Sequence, residues 1–237
     1  MSGGLAQFRA NCVFRRDSKD TLKMNFYSNW RSLAAYRVRV ALALKGIAHK
    51  VTAVDMLGGE HLLPAFRAVN PQGVLPALVL DDGRVLFQSM AILEYLDEVV
   101  PEPPLLPADA AGRARVRGLA LIHAADSHPL LVPRVRQHLQ KEAGLDDAAI
   151  QAWVTRALTT GLQAIETNLA SSPETGTYCH GDQVTLADIC LSSHLLAMMF
   201  FKVDASAFPT AVAIHERLQA LPAFANSHPL KQPGAPV

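Results

Sequence analysis

The spacing of hydrophobic and polar positions changes several times along this chain, and each change marks an element. Leu22, Met24 and Phe26 alternate with Lys23, Asn25 and Tyr27 at the period of two that a half-buried strand requires. From Val38 through Ala41 and Leu42, extended by the aliphatic stem of Lys45, the period becomes helical. Continued onward, the pattern predicts strand 22–28, helix 35–45, strand 49–54, helix 60–68, strands 76–80 and 84–87, and helix 89–98. Asp81-Asp82-Gly83, between the last two strands, is a hairpin signal. The result is a βαβ unit followed by αββα.

Past this region the grammar is different. Pro101, Pro103, Pro104 and Pro107 surround Leu105-Leu106 and cannot continue a helix, so 101–108 reads as a linker. Everything beyond is helical in pattern. Asp109 is a candidate N-cap for a helix with Val116, Leu119 and Ala120 on one face. Thr185-Leu186-Ala187-Asp188 has the layout of a capping box, with Asp in the acidic position. The expected fold class is therefore α/β plus all-α, with an α/β domain over 22–100 and a helical domain over 109–237. Residues 1–21 lack the apolar core of a secretory signal and read as an N-terminal extension, expected to be disordered.

Composition narrows the classes of function. At 237 residues the chain can form one large domain or two small ones with real cores. Half of it is hydrophobic, yet no run approaches the roughly 20 apolar residues that span a bilayer, so no membrane partner is expected. A formal charge of +1 supplies no field for nucleic acid. The three cysteines, Cys12, Cys179 and Cys190, form no C-x-x-C pair, which favours a reducing, cytoplasmic setting, and the His and Cys spacings suggest no metal.

The candidate chemistry gathers where a strand gives way to a helix, in the stretch Trp30 to Gly46. Ser32 lies at the first helical turn, where unpaired N–H groups and the helix dipole favour an anion, so a thiolate would be stabilised there. Read alone, Ser32 is equally a helix cap, and no G-x-S-x-G makes it a nucleophile. Gln88-Ser89 stands at a second strand-to-helix junction, where Ser89 can cap its helix or meet an anion. Pro76, read alone, is an edge or turn proline.

Several ordered segments together carry a family resemblance: Arg31-Ser32, Arg37 to Gly46, Asn70 to Leu78, Gln88 to Leu96, Leu105 to Asp109, Tyr178 to Asp188, and His228 to Pro233. Over residues 22 to 237 the chain resembles a glutathione transferase. It is most similar to the zeta class, which includes maleylacetoacetate isomerases and glutathione-dependent maleylpyruvate isomerases. The resemblance implies a thioredoxin-like first domain and a helical second one, a homodimer, glutathione as cofactor and a small electrophile as substrate. It also implies roles for residues. Ser32 would hydrogen-bond the glutathione sulfur; Leu75, before a cis Pro76, would pair with the cysteinyl backbone; Gln88 and Ser89 would hold the γ-glutamyl carboxylate. His61 and His128 would touch glutathione, and Arg31 would hold a substrate carboxylate. The thiolate would add to a cis double bond, permit rotation and leave again, in the catabolism of aromatic compounds or aromatic amino acids.

The chain also departs from that family. Zeta-class isomerases carry a second arginine where Phe200 stands here, and a Ser and a Cys where Leu33 and Ala34 stand. Lys202, His194 and Arg134 are the candidates to replace the missing charge. Leu33, Ala34, Met198, Met199 and Phe200 would give a more apolar substrate pocket, although Met198 and Met199 read equally as core. Three activities follow: a glutathione-dependent maleyl isomerase, a transferase or dehalogenase acting on a less charged electrophile, and a non-catalytic glutathione-binding protein.

Overall fold

A computed structural model describes residues 24–236. The extension over 1–21 and the first two residues of the first expected strand lie outside the described residues. Strands β1 (Met24–Ser28), β2 (His49–Ala53), β3 (Ala77–Val79) and β4 (Val85–Phe87) form one sheet in the order β2-β1-β3-β4. β1 runs parallel to β2, with Met24 opposite His49, and antiparallel to β3, with Phe26 opposite Leu78. A parallel pair needs a crossover. Helix α1 (Leu33–Leu44) supplies it, and the hairpin from β3 to β4 turns at Gly83, whose φ of +84° suits glycine.

The expected helix 60–68 is broken. Leu63 is extended before Pro64, so the segment divides into a short 3₁₀ turn, Glu60–Leu62, and one turn of helix, α2 (Pro64–Arg67). Helix α3 (Ser89–Val99) completes the first domain. The period of α1 reveals its apolar face but not its surroundings. Every residue from Leu33 to Leu42 is buried, Arg37 and Arg39 included, because α3 and two helices of the second domain, Leu186–Phe200 and Pro222–Ser227, cover the sides that the sheet leaves open. Buried cations need partners. Arg39 Nη1 donates to Ser28 Oγ at 2.9 Å, and Lys45 Nζ donates to Asp97 Oδ1 at 2.7 Å and to the carbonyls of Val100 and Pro103.

The second domain comprises α4 (Ala110–Leu121), α5 (Pro133–Lys141), α6 (Asp147–Ala170), α7 (Leu186–Phe200), α8 (Pro209–Gln219) and α9 (Pro222–Ser227). Asp109 caps α4, accepting from the Gly112 amide at 2.8 Å. The capping box of α7 forms as the sequence suggests: Asp188 Oδ2 accepts from the amide and hydroxyl of Thr185, both at 2.8 Å, while Oδ1 takes the Cys179 amide. Those bonds compensate a fully buried carboxyl, whose pKa burial nonetheless raises. From Leu186 to Met198, α7 is buried throughout. It packs on α1, α4 and α8, so one continuous apolar cluster runs from Met24 in the sheet to Phe224 in α9. The two regions of different grammar share a core. Among the described residues no helix is long and apolar enough to cross a membrane.

Candidate active site

Ser32 is the N-cap of α1. Its backbone is extended, its Oγ accepts from the Ala35 amide at 3.1 Å, and its own amide is tied to Asn29 O at 3.1 Å. An oxygen that accepts in the cap still has its proton to give. Among the described residues no protein acceptor takes that proton, and the Leu33 and Ala34 amides are likewise without a partner. No acidic residue lies in the first turn of α1, so nothing competes with an incoming anion.

The second junction is more unusual. Gln88 is the N-cap of α3 with φ +67°, a conformation rare outside glycine, and its side chain turns away to donate to Gln72 Oε1 at 2.9 Å. Ser89 therefore does not cap its helix. It is the first helical residue, and its Oγ accepts from Arg37 Nε at 3.0 Å and Nη2 at 2.9 Å. The α3 N-terminus is left with unpaired amides. Nearby in sequence, the Leu75–Pro76 peptide is cis, as the resemblance implied, and among the described residues neither the amide nor the carbonyl of Leu75 has a partner. His61, in the 3₁₀ turn, has a buried Nδ1 with no partner.

Between the two junctions runs a polar chain that sequence reading missed. Arg37 Nη1 reaches Ser193 Oγ at 3.3 Å, Ser193 Oγ meets His123 Nε2 at 3.0 Å, and His123 Nδ1 faces His194 Nδ1 at 3.1 Å. His194 ends the chain on Leu158 O at 2.9 Å. The ring of His128 lies 5.4 Å from that of His123, which brings His128 beside the same network. Burial pushes all three imidazoles down, His194 to about 4 and His128 to about 3, with the Arg37 charge adding to the effect at His123 and His128. They are neutral. The one available signal was His123, Ser192, Ser193 and His194, polar residues inside otherwise apolar helical segments; His123 falls at a π-helical turn, Ile122–Ser127, between α4 and α5.

The substrate side differs from expectation at several points. Met198 and Leu33 belong to the core, so Met198 is not a pocket residue; Ala34 is buried, Met199 is half exposed, and Phe200 packs partly buried against the core. His194 cannot reach a substrate, because both ring nitrogens are engaged inside the protein. Lys202 stands exposed in a left-handed turn after α7, and Arg134 is exposed on α5, its charge felt at His128. Arg136, two residues further along α5, is half-buried. It lies over the Phe201 ring, 5.2 Å from the centroid, and donates from Nε to Leu131 O at 2.9 Å. Burial lowers its pKa, and the Arg31 charge lowers it further. Neither Arg31 nor Arg136 has a carboxylate partner among the described residues. A separate cavity of about 650 Å³ opens between α3, the linker and α4; it is acidic, with Glu94, Asp97 and Glu98 in its wall, and no residue of this site lines it.

Two family models match the chain: the glutathione S-transferase N-terminal domain over residues 31–99, and the C-terminal domain over 130–226. The maleylpyruvate isomerase of a Ralstonia species is 44% identical over 211 residues, covering 89% of this chain and 99% of that one. The chain belongs to the glutathione S-transferase family. A holo structure described as a maleylpyruvate isomerase of the zeta class superposes with a TM-score of 0.87 at 42% identity, covering 90% of this chain and all of the other. A maleylacetoacetate isomerase from Methylobacterium extorquens AM1, solved with malonate and glutathione bound, gives a TM-score of 0.88 at 47% identity over the same shares.

For a member of the glutathione S-transferase family, the open groups have a natural reading. A tripeptide with a thiol, a backbone to pair and a carboxylate at each end would meet the Ser32 hydroxyl, the free amide and carbonyl of Leu75, and the uncapped start of α3. These are donors and acceptors that the protein leaves unsatisfied, and buried polar groups are rarely left so. The donor set fits glutathione.

Proposed function

We propose that this protein is a glutathione-dependent cis–trans isomerase of maleyl compounds, converting maleylpyruvate or maleylacetoacetate to the fumaryl isomer in the breakdown of aromatic compounds or amino acids. Bound glutathione supplies a thiolate that adds reversibly to the substrate double bond and is regenerated when the bond re-forms. The protein does the rest. Ser32 accepts from the Ala35 amide and gives its proton toward the sulfur, and the start of α1 adds its dipole; both lower the pKa of a thiol. Leu75 holds the peptide backbone, while Gln88 and Ser89 hold its γ-glutamyl end, with His61 and His128 flanking it.

The observation that carries the substrate reading is a pair of cations, Arg31 next to Ser32 and half-buried Arg136 on α5, neither of which has a carboxylate partner among the described residues. Guanidiniums without an internal anion are open to an external one, and a bidentate guanidinium suits a carboxylate. Malonate in the Methylobacterium relative is a small dicarboxylate of the kind such a pair would hold. Phe200, where the zeta class has its second arginine, then makes the apolar wall under the rotating carbon chain, with Arg136 supplying the charge from α5 instead. The alternative, transfer to a neutral or halogenated electrophile, is favoured by the same apolar wall of Phe200 and Met199.

Leu57, Leu62, Leu63 and Phe87, large apolar side chains exposed on the first domain, are surface that a second subunit would cover, in keeping with a homodimer. Free, buried Cys179 and Cys190 fit a reducing cytoplasm. The deciding experiment assays maleylpyruvate, maleylacetoacetate and a chlorinated acid side by side, with and without glutathione. Isomerisation that needs glutathione and drops in Ser32→Ala supports the proposal. Halide release or conjugate formation without isomerisation would replace it, and light scattering at the monomer mass would remove the dimer.

A further inference from the structure

Arg37 is a buried cation without an anion. Its relative exposure is 2%, and its partners are two hydroxyls: Ser89 Oγ, which takes Nε and Nη2 at 3.0 and 2.9 Å, and Ser193 Oγ, which takes Nη1 at 3.3 Å. Arg39, buried on the same helix, is met by Ser28 Oγ and the carbonyls of Asn29 and Ser227, whereas three other cations along the seam each have a carboxylate. Lys45 has Asp97, Arg117 has Glu94 and Arg115 has Glu174. A guanidinium this deep costs several kcal/mol unless its charge is met.

The groups behind Arg37 cannot meet it, because their protons run in one direction. Leu158 O is an acceptor only, so His194 Nε2 carries a proton and its Nδ1 is bare; His123 Nδ1–H therefore donates to His194, and the Ser193 hydroxyl proton goes to His123 Nε2 at 3.0 Å in preference to Leu33 O at 3.4 Å. Ser193 Oγ turns its lone pairs to Arg37. Every member of that chain is neutral. On the other side, Ser89 Oγ accepts two N–H bonds from Arg37, which leaves its single proton to point away from the guanidinium, and no protein acceptor among the described residues receives it. Around that proton stand the unpaired amides of an 11-residue helix whose N-cap side chain has turned aside to Gln72. Everything points outward at one missing negative charge.

We propose that Arg37 is a positioning residue that supplies the buried counter-charge for a carboxylate docked at Ser89 and the start of α3, aiming the Ser89 proton at it and making that end of the site selective for an anion over a neutral group of the same shape. Arg37 does not touch the ligand. It acts through Ser89, and the neutral His123–His194 pair holds it in place through Ser193. The proposal rests on the reading of Ser89 as the subsite for the γ-glutamyl carboxylate.

The test compares affinities by calorimetry for glutathione and for 4-aminobutyryl-cysteinylglycine, which keeps the thiol and the backbone but lacks that carboxylate. The wild type is expected to prefer glutathione by about 10- to 100-fold, the range of a charge-assisted hydrogen bond. In Arg37→Gln the preference falls to about threefold or less through loss of glutathione affinity alone, the analogue binding within about twofold of wild type. Arg37→Lys, which keeps the charge but not the fork, lies between, and carries the test if the Gln variant does not fold. Equal weakening of both ligands in the Arg37 variants would mean a packing role and overturn the proposal, as would an unchanged preference. Ser89→Ala separates the two levels. If it keeps the full wild-type preference, the carboxylate is not at Ser89 and the underlying reading fails; if it loses the preference while the Arg37 variants keep it, only the role of Arg37 fails.

Discussion

The end of the site built on α1, β3 and α3 offers backbone amides, a carbonyl and two buried hydroxyls, whereas the end built on Arg31, α5 and the close of α7 offers long, partly exposed side chains. The first is rigid because its members are held by a shared core and by a buried polar chain from Ser89 to Leu158. The second is held by little: one hydrogen bond and an aromatic ring fix Arg136, and Met199 is half in solvent. A thiol that must be activated in the same way each time suits the first, and a substrate that varies among relatives suits the second. The departures from the zeta class at Leu33, Ala34 and Phe200 concern what flanks the sulfur and what meets the substrate, and leave Ser32, Leu75, Gln88 and Ser89 unchanged.

If that division holds, damage to the first end lowers activity toward every substrate, and damage to the second discriminates among them. Ser32→Ala has the largest expected effect, a loss of about 100-fold or more in kcat/KM with all electrophiles, as for removal of a donor to a developing or stabilised anion. The pKa of the bound thiol, read from thiolate absorbance, rises toward the free value of about 8.5. Thermal stability falls only by the loss of a cap, about 1 kcal/mol. A substrate-dependent effect would break the comparison.

Arg136→Ala is expected to cost about 2 kcal/mol, some 30-fold in kcat/KM, with a maleyl dicarboxylate and almost nothing with an uncharged chlorinated compound. Arg134→Ala, two residues away on nearly the opposite side of α5 and exposed, leaves both rates unchanged. Equal losses in the two variants would assign the charge to α5 as a whole instead of to one side chain.

The buried imidazoles give the rigid end a pH signature. Their folded pKa values lie below the unfolded value of about 6.5, His194 at about 4, so unfolding takes up protons in between. Stability is complete above about pH 6.5 and falls as pH drops toward 4, by up to about 1.4 kcal/mol per pH unit for each group. Urea unfolding across that range checks the slope, and His194→Gln flattens it by one group's share. Smallest of all is Arg117→Ala. Its bidentate bond to Glu94 joins α3 to α4 at 2.9 Å, but both side chains are about one-third exposed, so the loss is under about 1 kcal/mol in the same unfolding experiment.

What could be read from the sequence follows the same division. Alternation in the sheet, the Asp-Asp-Gly turn, Asp109 and the Thr185–Asp188 box are local signals, and each element formed within a few residues of its expected bounds. Ser32 and Ser89 stand out because a hydroxyl at a strand-to-helix junction is visible in one dimension. Arg37, His123 and the adjacent pair Ser193-His194 are far apart in sequence and meet only when α7 packs across α1 and the π turn, so no spacing announced them. Arg134, named from the sequence, and Arg136, proposed here, lie two positions apart on the same helix. That Arg136 packs on Phe201 and donates to Leu131 O is a tertiary fact that no spacing announces.

The most direct measurement of the central claim is the ratio of product formed to thiol consumed, with maleylpyruvate or maleylacetoacetate in large excess over glutathione. The account predicts many fumaryl products per glutathione, with free thiol unchanged at the end. One thiol lost per substrate consumed, or no product above the reaction without protein, would contradict it.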